Sequence, residues 1–227
     1  MTAVTPAPAR RAALQRRIRW IVAGTIGYNV IEAVIAITAG SVASSTALIA
    51  FGLDSVVEVL SAAAVAWQFT RKDPERYEAP TLRVIAIAFF ALAGYVSVSS
   101  VLSLTGAVSP EHSGVGIALA AVSLAVMPAL SWLERRTGIE LGSASAVADS
   151  KQTLICSYLS AAVLLGLLLN STMGWSWADA VAGLVIAGFA VREGLEALRG
   201  DTCATPVGIL LDADADAAAR VRDSQDR

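Results

Sequence analysis

Six long apolar runs divide the chain, spanning roughly 19–39, 45–69, 83–106, 114–133, 143–169 and 178–198. At a rise of about 1.5 Å per residue, each can cross about 30 Å of hydrocarbon as a helix. All six are rich in Ala, Val, Leu, Ile and Gly, and none alternates apolar and polar positions as a barrel strand does. The pattern predicts an all-α membrane protein, a bundle of six transmembrane helices over residues 19–199. It would be preceded by a basic, Ala/Pro-rich tail over 1–18 and followed by a short acidic tail over 200–227.

The polar breaks between the runs set an orientation. Arg10, Arg11, Arg16, Arg17 and Arg19 precede the first run, and Arg71, Lys72, Arg76 and Arg83 separate the second from the third. Arg135 and Arg136 follow the fourth, while Arg192 and Arg199 end the sixth. The alternate breaks, around 40–45, 107–113 and 170–177, hold neither Lys nor Arg. Basic residues flanking spans stay on the cytoplasmic side, so both termini are expected in the cytoplasm of a multi-pass inner-membrane protein. The first twenty residues lack the layout of a cleaved signal peptide, so the first run is expected to remain as a membrane helix.

Composition agrees with the bilayer as solvent: 56% of the 227 residues are hydrophobic and the mean hydropathy is +0.63. The formal net charge of −2 carries little information, because basic residues gather in flanking loops and acidic ones partly in the tail. Nucleic-acid binding has no support. Cys156, inside a run, and Cys203, in the tail, do not look like disulfide partners.

Ionisable residues at membrane depth cost a few kcal/mol each on insertion scales, so those inside the runs are the candidate chemistry. Asn29 and Glu32 lie three apart in the first run, and Asp54 and Glu58 four apart in the second, sharing a helix face. The fifth run carries Asp149, Lys151, Gln152 and Cys156, the last two again four apart. Because the second and fifth runs cross in opposite directions, Asp54 should fall level with Cys156 and Glu58 level with Gln152. Two carboxylates, a thiolate and an amide oxygen would then surround one point near the midplane, a plausible four-ligand metal cage. The bland alternatives are an acidic pair satisfied by Lys151 or interhelical hydrogen bonds, a packing cysteine and a glutamine acting as interhelical glue. Asn29 and Glu32 read as supporting or pathway groups, with Glu32 able to touch the ion or relay protons. Asp149 and Lys151 sit nearer the cytoplasmic end, in a vestibule or a local ion pair. His112 falls in an outer loop without an essential role.

At these residues the chain resembles the cation diffusion facilitator family, six-helix exporters of zinc, cobalt, cadmium, iron or manganese. The resemblance runs from Asn29 through Glu32, Gly40, Ser45, Leu48, Gly52, Asp54 and Ser55 to Glu58. It resumes in the segment ADSKQTLICSYLS, with Ala148, Asp149, Gln152, Cys156 and Ser160. Asp179, opening the sixth helix after Trp175 and Trp177, also fits. Gln152 and Cys156 stand where the family has a metal-binding His and Asp. With a thiolate, the site would lean toward Zn²⁺, Cd²⁺ or Co²⁺ rather than Mg²⁺ or Ca²⁺. Proton antiport, implied by the resemblance, would run through Glu58, Glu32 or Cys156.

The resemblance implies a bundle of the cation efflux type that exports a divalent cation by alternating access and holds no permanent cofactor. Its partners would be the lipid bilayer, the transported ion, protons and a second copy of itself. The short acidic tail, with Asp212, Asp214 and Asp216, leaves no room for the cytoplasmic metal-binding domain that members of this family often carry. A homodimer would therefore rest on membrane contacts, with Ser97, Ser99, Ser100 and Ser103 as a candidate surface. Enzymatic chemistry is not expected, for lack of an intramembrane His or a nucleophile with a base. An organic-solute carrier would show more broken helices than Pro128 alone provides. The alternative carried forward is a membrane metal binder, sensor or scaffold that does not transport.

Overall fold

The computed structural model describes residues 8–69, 74–107, 109–141 and 144–199. The expected acidic tail over 200–227, with Cys203, and the basic pair Arg71 and Lys72 lie outside the described residues. So do the side chains of Asp149 and Lys151. Six helices follow one another: α1 (Pro8–Val42), α2 (Thr46–Phe69), α3 (Pro74–Leu104), α4 (Gly114–Leu141), α5 (Ala144–Met173) and α6 (Ser176–Arg199). No strand occurs among the described residues.

Five of these helices are long and apolar enough to cross a membrane. The sixth, α6, has the length but carries Asp179, Arg192, Glu193, Glu196 and Arg199, and falls short of the same apolarity. It is accommodated because Asp179 and Glu193 are buried inside the bundle while Arg192 and Arg199 stay exposed. Helix α1 starts at Pro8 rather than near residue 19, so most of the expected tail is helical. Its 35 residues reach about 52 Å, well beyond the hydrocarbon thickness. Leu14, Ile18 and Val22 are buried one turn apart along this extension, and apolar packing of that kind holds a helix that alternating Ala and Arg already favour. Helix α4 likewise runs past residue 133 to Leu141.

The inner face of α4 is mostly small or polar, and many large apolar side chains of the bundle point outward. On α4 the buried residues are Gly116, Ala120, Ser123, Met127, Ser131, Glu134, Thr137 and Gly138, recurring every three or four positions. Val30, Ile31, Val34, Val84, Ile87 and Val122 are exposed instead. Such inversion suits lipid, which solvates apolar side chains as well as a protein core does, leaving close packing to small residues. The apolar core, with Leu48, Phe51, Val57, Phe89, Val96, Leu159, Val163, Leu167 and Ile186, sits where α2 packs against α3, α5 and α6. Helix α1 lies against α2 and α4, and α4 against α5. Gly40 and Gly52 bring α1 and α2 together: a Cβ at Gly52 would lie 2.8 Å from Ile37 Cγ1 and 2.9 Å from Ile37 N.

The turns are tight. Helix α1 ends at Ser44 in the left-handed region (φ 51°), where Ser45 N–H donates to Gly40 O at 3.0 Å. Helix α3 ends at Gly106 (φ 78°), with Gly106 N–H donating to Ser103 O and Ala107 N–H to Leu102 O, both at 3.1 Å, a Schellman motif.

Candidate metal site

Helices α1, α2 and α5 bring Asn29, Glu58 and Cys156 together. Asn29 Nδ2 donates to Glu58 Oε2 at 2.6 Å, and the Cys156 thiol donates to Glu58 Oε1 at 2.7 Å. Both oxygens of this carboxylate are thereby tied, one to α1 and one to α5. Asp54, one turn earlier on α2, is buried and makes none of these bonds. Its carboxylate feels the negative charges of Glu58, Glu193 and Glu32, so several acids share a poorly solvated region. Cys156 is buried beside them and is a free thiol.

Glu32 is held separately. Ser55 Oγ donates to Glu32 Oε2 at 2.8 Å, Ser123 Oγ donates to Oε1, and Tyr28 Oη shares a 2.6 Å hydrogen bond with Ser123 Oγ. Three groups, from α1, α2 and α4, thus converge on one carboxylate. Asn29, Glu32 and Thr25 lie on the same buried stripe of α1, so this helix lines the polar interior along roughly 10 Å of its axis.

Gln152 is half-buried on α5, one turn before Cys156, and its Oε1 is a buried acceptor with no donor. Asn29 Oδ1 is in the same condition. A buried carbonyl-type oxygen without a donor is costly, and a cation is one group that satisfies it. The four expected ligands are not drawn into a closed cage. Glu58 and Cys156 meet directly, whereas among the described residues no three His, Cys, Asp or Glu side chains stand close enough to grip one ion. Glu58, expected level with Gln152, receives the thiol of Cys156, one turn further along α5.

Asp179 is placed away from this group. Ser45 Oγ donates to Asp179 Oδ1 at 2.5 Å and Ala47 N–H donates to Oδ2 at 3.2 Å, while Ser45 Oγ accepts from Leu48 N–H at 3.2 Å. Asp179 therefore caps the N-terminus of α2 from α6, roughly 18 Å along α2 from Glu58. It serves the α1–α2 turn rather than the Glu58 group. Asp149 is carried on the first turns of α5, but its side chain is outside those described.

Two buried acids escaped the sequence reading. Glu193 falls on the buried stripe of α6 with Asp179, Gly183, Ile186, Ala190 and Ala197, and its charge reaches Asp54. Its neighbours Arg192 and Glu196 pair on the outside at 2.8 Å and disguise it as part of a flank. Glu134 is fully buried beside the exposed Arg135 and Arg136. In both cases the three- and four-residue spacing of small residues was the available signal.

A helical membrane bundle with a buried, acid-rich interior and a thiol facing a carboxylate is the class of a cation-handling membrane protein. The chain matches the cation efflux transmembrane domain over residues 25–201, and it belongs to that family of cation transporters. Among curated proteins none matches the chain.

Proposed function

We propose that this protein exports a divalent cation of the Zn²⁺, Co²⁺ or Cd²⁺ type from the cytoplasm, by proton antiport. The observation that carries the reading is the tie between Cys156 and Glu58, with Asp54 one turn away and the Gln152 amide oxygen unmatched. Thiol and carboxylate both become ligands once the thiol proton leaves, and a thiolate beside oxygen donors favours borderline and soft ions. The thiol hydrogen sits between the two groups. An arriving cation takes its place, drawing in Asp54 and Gln152 as the bundle rocks between inward and outward openings. Protons arriving on the far side restore the hydrogen bond and release the ion.

The distribution of arginines supports cytoplasmic termini in an inner membrane. The chain works as a homodimer, with hydroxylated α3 as the surface in question; Ser100 is buried in the bundle, whereas Ser97 and Ser99 are half-buried and remain available. The test is uptake of Zn²⁺, Cd²⁺, Co²⁺ and Mn²⁺ into proteoliposomes by wild type and Asp54→Ala. Saturable wild-type uptake that the variant lacks supports transport.

A second reading is a metal binder that does not transport. Metal binding in detergent without uptake by wild type would favour it.

A further inference from the structure

The polar stripe of α1 reaches a second buried acid that the metal site does not use. Thr25, one turn before Asn29, donates its hydroxyl to Glu134 Oε1 at 3.4 Å, and Thr153 of α5 donates to Glu134 Oε2 at 2.9 Å. Glu134 is wholly buried on α4, at the bundle end where Arg135 and Arg136 emerge. Three carboxylates are therefore attached to successive turns of one helix face: Glu134 through Thr25, Glu58 through Asn29, and Glu32 itself.

The groups around Glu134 decide what it can do. From α1 it meets Thr25 and from α5 Thr153, neither of which carries charge. The next ionisable groups on α1 are the half-buried Arg19 and the buried Glu32; on α5 they are Cys156, Lys151 and Asp149, the last one turn before Thr153, with the side chains of Lys151 and Asp149 outside those described. On α4 itself, Arg135 and Arg136 are exposed, and Arg136 is engaged with Glu140 at 3.4 Å. Among the described residues two hydroxyls meet this carboxylate and no cation does, which stabilises a charge less than water and favours a group able to exist neutral. An Asn or Gln would serve a purely structural role without that liability. A Glu also has a reason to be there if it alternates between the two forms.

We propose that Glu134 is a second proton-carrying group of the transport cycle, on the arginine-rich side of the bundle and separate from the metal ligands. The inference rests on the transport reading above. In each cycle the proton is held on a Glu134 oxygen and leaves to water; only that O–H bond forms or breaks. Loss of the proton recharges an acid wedged between α1, α4 and α5, and its return lets those helices close on a neutral contact. The proton site thus biases the same helices that carry Asn29 and Cys156 to Glu58. Coupling of this kind needs no contact between proton and metal.

The test uses the full chain in proteoliposomes, with Zn²⁺ outside and a pH-sensitive dye inside. Wild-type uptake is driven first by the Zn²⁺ gradient alone and then with the interior acidified. Acidification should raise wild-type uptake by about tenfold, and Glu134→Gln should remove that stimulation while Zn²⁺ binding in detergent is retained. Glu134→Asp should restore part of it. Stimulation retained by Glu134→Gln overturns the proposal, as does wild-type uptake that acidification never alters. Absence of any wild-type uptake would instead sink the transport reading itself. Should Glu134→Gln not yield a monodisperse protein, the pair Thr25→Val and Thr153→Val keeps the acid and strips its donors. That pair should move the midpoint of the pH profile at unchanged Zn²⁺ affinity, and an unmoved midpoint overturns the proposal.

Discussion

The Cys156 thiol points its hydrogen at Glu58 Oε1 across 2.7 Å, joining α5 to α2. Removing the thiol should therefore do more than loosen packing. In Cys156→Ala the uptake of Cd²⁺ and Zn²⁺ should fall by about tenfold or more, and that of Mn²⁺ by less, because only the softer ions depend on sulfur. Initial rates for the separate ions check this, and an equal fall for all of them would assign Cys156 a packing role.

Asn29 holds the other oxygen of the same carboxylate at 2.6 Å. Asn29→Leu leaves Glu58 Oε2 without its donor and frees the carboxylate to swing. Zn²⁺ affinity in detergent should weaken by about 10–100-fold, the usual effect of removing a group that orients a ligand. Titration calorimetry of the purified variant reads this directly.

Asp179 predicts a loss of stability. Asp179→Ala deprives Ala47 N–H of its acceptor and strands the buried Ser45 hydroxyl, which together cost about 1–3 kcal/mol. The thermal midpoint in detergent should drop, with Asp179→Asn falling between variant and wild type. Zn²⁺ affinity of the protein that remains folded should be unchanged, since Glu58 lies at the other end of the buried face.

Gly52 separates close approach from mere helix composition. Its added Cβ would meet backbone as well as side chain of Ile37, so Gly52→Ala should cost about 1–3 kcal/mol and lower the yield of monodisperse protein. Gly24→Ala, with nothing within 4 Å, should be neutral or stabilising by up to about 1 kcal/mol.

The helices were legible in the sequence because bilayer thickness demands long apolar runs, and every run became one helix. Their ends were less so. Pro8–Arg19 and Arg135–Leu141 leave the apolar pattern, so only propensity and a sparse buried stripe mark them as helix. The same limit hid Glu134, which looks like part of a charged flank until its spacing from Ser123, Met127 and Ser131 is followed. For the site, Glu58 and Cys156 were legible as polar residues at depth, and opposite helix directions suggested that the polar pairs of α2 and α5 meet, with Asp54 rather than Glu58 opposite Cys156. Which residue of α5 faces Glu58 was not, because it depends on the crossing of α2 and α5. The Asn29–Glu58 bond and the capping of α2 by Asp179 are tertiary pairings between helices whose relative register no local pattern encodes.

The central claim is that the acids of α2 carry the cation across the membrane. It is tested most directly by Zn²⁺ uptake into proteoliposomes for wild type, Asp54→Ala and Glu58→Gln, with binding measured in parallel on the same preparations. The account predicts saturable wild-type uptake that both substitutions abolish, together with weakened Zn²⁺ binding. Uptake that survives in both variants would contradict it.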